Sequence, residues 1–220
     1  MPNWCDNQIT ITGPNSVIDK IEKIVKEESN NAENGLLQFF HPMPKELLET
    51  EAGPIAKTKK EKQARQIRKL EFGAENWYDW RVNNWGTKWE VCEFYGVDRQ
   101  HLNDSLDEST ISFSFSSAWA PPIGAYEKFL ENNSNCFLRA YYYEGGCDFM
   151  GLWEDGIDDC YAPSDYKSTD DFWQDGIGST LDDLFNMTES MAEYEAEQEA
   201  EKEDVHEYTK GNAINIGEEA

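Results

Sequence analysis

Residues 8–28 read QITITGPNSVIDKIEKIVKEE, and the hydrophobic period changes once inside that stretch. Ile9 and Ile11 alternate with polar residues up to Gly13-Pro14, the pattern of a strand buried on one face. From Val17 the apolar positions become Ile18, Ile21, Ile24 and Val25, the spacing of an amphipathic helix reaching about Glu28. Ser16 and Asp19 stand three apart, as in a capping box with Asp in place of Glu or Gln. A strand that runs directly into a helix is the opening unit of a layered α and β fold.

Working outward, Leu36 to Phe40 is a short apolar run ending at His41-Pro42-Met43-Pro44, which reads as a second strand. Residues 46–72 turn helical and basic. Lys57, Lys59, Lys60, Lys62, Arg65, Arg68 and Lys69 stand against Glu61 alone, net +6 in thirteen residues. That island is either a solvated or internally paired helix face, or a contact for phosphate or an acidic partner. Residues 91–95 and 110–117 read as strands, the second with Ile111, Phe113 and Phe115 inward and Ser112, Ser114 and Ser116 outward. Pro121-Pro122 opens a helix whose inner face is Ile123, Tyr126, Phe129 and Leu130. Residues 136–143 and 148–153 form two more strands joined at Glu144-Gly145-Gly146, a hairpin whose glycines tolerate positive φ.

The order predicts an α+β fold: a ferredoxin-like split βαβ sandwich over residues 1–160, an antiparallel sheet with two helices on one face. It carries an inserted basic helix, a tryptophan-rich loop and an acidic C-terminal extension over 161–220. Leu181, Leu184, Phe185, Thr188 and Met191 keep a helical stripe, so a helix docks near 180–192. From about Glu195 acids dominate, and an exposed helix or disorder is expected.

Net charge is −25, and it is unevenly placed. Residues 1–143 carry 21 acids and 16 bases, whereas residues 144–220 carry 23 acids and 3 bases. The field of the last third attracts a basic partner and disfavours its direct binding to nucleic acid or an anionic membrane. Glu154, Asp155, Asp158, Asp159, Asp170, Asp171, Asp182 and Asp183 are the candidate acidic surface. The five cysteines are odd in number with no CxxC pair, and no secretory or membrane-spanning pattern is present. A reduced, cytoplasmic protein is expected.

The densest signal is residues 76–90, NWYDWRVNNWGTKWE, with four of the chain's eight tryptophans. Such a run is either a structural knot covering the sheet or the floor of a recognition site. On the second reading Trp77, Trp80, Trp85 and Trp119 offer rings, with Trp4 beside them. Arg81 and Lys88 meet an anion, and Asn83 and Asn84 read a polar edge. Asp79 reads as a salt-bridge partner of Arg81.

MPNWC at the N-terminus, NWYDWRVNNWGTKWE and AWAPP (residues 118–122) together resemble the YubB-type ferredoxin-like proteins of phages and plasmids. The match covers roughly residues 1–155. The resemblance implies the sandwich fold and a mobile-element origin, and it brings no catalytic residues to carry over.

Nucleophilic, metal and cofactor chemistry find no support. His41, His101 and His206 sit in a turn, a polar loop and the acidic tail, without a Ser-His or Cys-His arrangement or a glycine-rich phosphate loop. The acidic spacings are not those of a calcium loop. A non-enzymatic binding protein without cofactor or metal is expected, one that engages a basic surface of a host protein in its cytoplasm. Competition with nucleic acid for a defence or nucleic-acid-handling factor would be its mode of action. The alternatives are a small-molecule or nucleic-acid binder using the tryptophan run, and a structural or assembly protein.

Overall fold

Strand β1 (Trp4–Pro14) alternates buried and half-buried along its length, and this alternation organises the sheet around it. The computed structural model describes residues 3–28, 33–53, 58–103, 107–189, 191, 192 and 196. Two units partition the chain, Met1–Tyr161 and Ala162–Ala220.

In the first unit β1 passes through Pro14 into α1 (Asn15–Lys26), which buries Ile18, Ile21 and Val25. Ser16 is not the cap: Pro14 holds that position and no side chain closes the first turn. Asp19 instead accepts a hydrogen bond from Arg99 at 2.7 Å. After α2 (Leu36–Phe40), α3 (Lys59–Phe72) and α4 (Trp77–Trp85) come β2 (Cys92–Asn103) and β3 (Glu108–Ala118). Then follow α5 (Ile123–Asn132), β4 (Phe137–Glu144), β5 (Phe149–Glu154) and β6 (Ile157–Tyr161).

The six strands form one sheet in the order β2-β3-β1-β4-β5-β6, and every pairing is antiparallel. Ile9 lies opposite Phe113 on one side and Ala140 on the other, so one face of the three central strands is apolar. That face meets Ile18 and Ile21 of α1, Leu37 and Phe40 of α2, Trp80 and Trp85 of α4, and Tyr126 and Phe129 of α5 in one core. On the opposite face Thr10 bonds Ser112 at 3.0 Å and Thr12 bonds Thr110 at 2.9 Å. The result is a mixed α+β fold on a six-stranded antiparallel sheet.

Several expectations change. Leu36 to Phe40 is a helix, not a strand, because a carboxylate takes up its first N–H groups and Leu36, Leu37 and Phe40 then share a buried side. Residues 77–85 are helix α4, not loop. The basic helix begins only at Lys59. His101 lies in β2 rather than a loop, and β2 runs on from the expected 91–95. Strand β6 has no counterpart in the sequence reading.

Helices α4 and α5 approach at Gly124, where an added Cβ would stand 2.5 Å from the Asn84 carbonyl oxygen. Backbone cannot yield as a flexible side chain does. Gly124→Ala is therefore expected to part the two helices and cost about 1–3 kcal/mol in urea unfolding; an unchanged midpoint would contradict this contact.

In the second unit α6 (Thr169–Gln174) is capped by Ser168, whose hydroxyl accepts from Asp171 N at 3.2 Å. Asp175 caps α7 (Gly176–Phe185), and Phe172, Leu181 and Met187 are buried. The expected tail beyond 196 lies outside the described residues. Among the described residues no helix is long and apolar enough to cross a membrane. All five cysteines are free thiols.

Candidate functional site

The tryptophan run divides at Gly86, whose φ of 88° ends α4 in the left-handed region open to glycine. Its tryptophans differ across it: Trp80 and Trp85 are buried, and Trp89 is exposed. Before the glycine, the Asn76 side chain caps α4 by accepting from Tyr78 N and Asp79 N at 2.9 and 3.0 Å, and it donates to Asp79 at 2.7 Å. Trp80 and Trp85 are buried in the core. Trp85 Nε1 donates to the His41 carbonyl at 2.8 Å, and the Asn84 side chain donates to the Trp80 carbonyl at 2.8 Å.

Arg81 is buried as well, its guanidinium 5.2 Å from the Trp77 ring centre and 4.7 Å from that of Trp85. It is therefore not placed to meet an external anion, and Asp79 pairs with Asn76 instead of with it. The charge near Arg81 is Glu90, whose carboxylate accepts from Leu37 N at 2.7 Å, Gln38 N at 3.2 Å and Val91 N at 3.3 Å. Burial lifts the Glu90 carboxyl from 4.5 to about 7, against the pull of these three N–H groups and of Arg81. Burial also lowers the Arg81 pKa, with Glu90 opposing. Glu90 ties the exit of the run to the start of α2 and is an anchor that sequence reading did not single out. At Gly35 an added Cβ would run into the Glu90 carboxyl, so the anchor needs a glycine there.

After the glycine, the Thr87 hydroxyl donates to the Ala118 carbonyl at 2.7 Å, and the chain turns outward. Lys88 Nζ lies 4.0 Å from the Trp89 ring centre and 3.7 Å from that of Trp119. Trp4 packs on Trp89 at 6.2 Å between ring centres. These three indoles are 43% (Trp4), 39% (Trp89) and 43% (Trp119) exposed, so MPNWC, the tryptophan run and AWAPP converge on one aromatic patch around an ammonium group. Trp119 adopts φ 73°, a strained conformation for a residue with a Cβ. Its N–H bonds the Asn3 carbonyl at 3.0 Å, and the Ser117 hydroxyl donates to the Ala120 carbonyl at 2.8 Å, which fix the turn.

Of the expected ligand surface, then, Lys88 and Trp119 meet, while Trp80, Arg81 and Trp85 are interior and Trp77 is half-buried. Asn83 is exposed and Asn84 half-buried on α4. Trp89, next to Lys88 in the chain, and Trp4, from the far end of the sequence, complete the patch.

Of the expected acidic surface, Asp155, Asp158, Asp159, Asp170, Asp171 and Asp183 are exposed, and Glu154 and Asp182 half-buried. Arg139 Nε donates to Glu154 at 2.5 Å, the Tyr142 hydroxyl to Asp158 at 2.7 Å, and Thr188 N to Asp182 at 2.6 Å. Glu154 is the one carboxylate of these eight that forms an ion pair with a described Lys or Arg. Among the described residues no group of three His, Cys, Asp or Glu side chains is arranged to hold a metal ion.

No protein-family model and no curated protein matches the chain. Among solved structures the chain is similar to the crystal structure of a protein api92 from Yersinia pseudotuberculosis, associated with the family model DUF1281. The identity is 13%, the TM-score is 0.38, and the match covers 75% of this chain and 96% of that one. A likeness at this level carries no argument about function.

Proposed function

We propose that the protein is a non-catalytic binding protein that engages a basic surface of a partner protein through its unpaired carboxylates. The observation that carries the reading is the β6 margin of the sheet. Asp155 in the β5–β6 turn and Asp158 and Asp159 on the edge strand are exposed within five residues, and no described Lys or Arg pairs with them. Carboxylates left unneutralised beside one another keep a negative field that extends about a Debye length from the surface. Basic surfaces that meet such a field are often nucleic-acid-binding clefts, so competition with DNA or RNA on a host defence or nucleic-acid-handling factor is the mode of action that follows. The resemblance to YubB-type proteins supports a phage or plasmid setting for it, in the host cytoplasm. The order β2-β3-β1-β4, with α1 and α5 as crossovers, supports a ferredoxin-like split βαβ scaffold extended by β5 and β6.

A second reading rests on the indole patch. Rigid aromatic side chains around Lys88 supply area and a polar grip at low entropy cost, as interaction hot spots do.

One titration separates the two readings. A fluorescent oligoarginine peptide is the probe, with the full chain, Asp155→Asn/Asp158→Asn/Asp159→Asn, and Trp89→Ala. The expected result is binding that weakens at least about fivefold in the triple variant, falls with added salt and survives Trp89→Ala. Unchanged affinity in the triple variant removes the electrostatic reading, and loss in Trp89→Ala alone selects the aromatic one.

A further inference from the structure

Helix α3 is built inside out. Of its fourteen residues only Arg65 is buried, while Leu70 is 89% and Ile67 53% exposed. Amphipathic helices of folded domains turn their apolar stripe inward. Here Phe72 reaches the core at the helix end, and the rest of the inward side is held by polar tethers. Arg65 donates to the Gly53 carbonyl at 2.5 Å and to Glu61 at 3.0 Å, and Arg68 donates to the Glu75 carbonyl at 2.7 Å. Thr58 caps the start, its hydroxyl accepting from Glu61 N at 3.1 Å, and Gly73 closes the end with φ 76°. The helix is thus complete as a helix, and its orientation is fixed without using Ile67 or Leu70.

At 3.6 residues per turn Ile67 and Leu70 fall on one outward side, with Lys59 and Lys60 flanking them and Lys62 beyond. Lys59, Lys60, Lys62 and Lys69 are all exposed, and of these only Lys69 has a described acid near it, Glu75 at 3.9 Å. Around the apolar pair stand Lys59 and Lys60, with Lys62 farther round the helix and exposed Glu71 beside Ile67; no described carboxylate pairs with the three lysines.

We propose that this face docks an acidic, amphipathic helical segment of a partner protein, whose apolar residues cover Ile67 and Leu70 while its carboxylates meet Lys59, Lys60 and Lys62. Charge complementarity selects that occupant. A phosphate backbone would leave a nearly fully exposed leucine against polar groups. A second α3 would set lysines against lysines. A membrane surface would take up only these two apolar side chains, too little buried area for stable insertion. Beside the carboxylates proposed for a basic partner, this makes the protein a linker with surfaces of both signs.

The test is fluorescence anisotropy of a labelled synthetic helix bearing Leu at i, i+3 and i+7 among glutamates, titrated with the full chain. A peptide with lysines in place of the glutamates is the control. Expected are saturable binding of the acidic peptide only, a loss of at least about tenfold in Leu70→Ser and again in Ile67→Ser, and abolition in Lys59→Glu/Lys60→Glu/Lys62→Glu. Both apolar positions are exposed, so circular dichroism of the serine variants should match the parent chain. No binding, equal binding of the lysine peptide, or affinity unchanged in both serine variants would overturn the proposal. So would a face that serves instead to float the chain onto phosphatidylserine vesicles or to dimerise it, if Leu70→Ser abolishes that and not peptide capture.

Discussion

Replacing Trp85 by alanine is expected to remove about 3–5 kcal/mol of stability, a large part of the 5–15 kcal/mol that domains of this kind possess. Trp85 is fully buried, packs against Trp80 at 5.9 Å between ring centres, and supports the Arg81 guanidinium on its face. Truncation opens a cavity between α4 and the core, strands the His41 carbonyl that its indole bonds, and removes one wall from a buried charge. Each loss lies on the same side of the balance. Trp85→Phe keeps part of the volume but not the donor, and should fall between the two. Trp89→Ala, in the exposed patch, should cost less than about 1 kcal/mol. Urea unfolding followed by far-ultraviolet circular dichroism reads all three. Equal losses at positions 85 and 89 would mean that the division of the run at Gly86 is wrong.

The second large effect is on pH dependence. The folded Glu90 carboxyl titrates near 7, above the ordinary value of 4.5, because burial penalises its charge. Between those two values the folded chain still holds a proton that the unfolded chain has released. Stability from this group is therefore complete below about pH 4.5 and is lost as pH rises through about 7, a decline of about 3 kcal/mol. Glu90→Gln cannot titrate, so its unfolding free energy should lack that slope. A carboxamide keeps one oxygen for Leu37 N and Val91 N, but its NH2 then faces Gln38 N, so a pH-independent loss accompanies the change and the slope is what the comparison reads. Wild-type stability that stays level from pH 4.5 to 7.5 would show the carboxylate to be ionised throughout, and a slope that persists in Glu90→Gln would assign it to other groups.

The sequence announces its sheet where one face is buried. Residues 8–12 and 110–117 alternate because helices cover one face of their strands and not the other, and β4 and β5 are readable from their hairpin. Strand β6 was illegible for the same physical reason: four of its five residues are exposed, so no burial imposes a period. Leu36 to Phe40 is uniformly apolar and fits either period. What decides it is the Glu90 carboxylate, which caps the turn from fifty-three residues away. The tryptophan run misled in a different way. Its helix hides an arginine and displays Val82 and Asn83, so its pattern is weakly amphipathic, and ring density masks the point at which the chain leaves the core. The patch itself was largely legible: Trp119, Lys88 and Trp4 were candidates and Trp89 follows Lys88 directly, but that Trp4 and Trp119 flank the same end of the sheet comes only from the pairing of Trp4 with Ala118.

That pairing has a bearing on how the molecule is made. Strand β1 precedes both of its sheet neighbours in the chain yet lies between them, with Trp4 opposite Ala118 and Asp6 opposite Tyr143. Neither neighbour has left the ribosome when β1 emerges. For more than a hundred residues of translation the nascent chain therefore carries an alternating strand with two unsatisfied edges, and the sheet closes only once β4 arrives. Such long-range closure makes folding slow, and it makes prematurely terminated chains, not the finished protein, the species prone to aggregate.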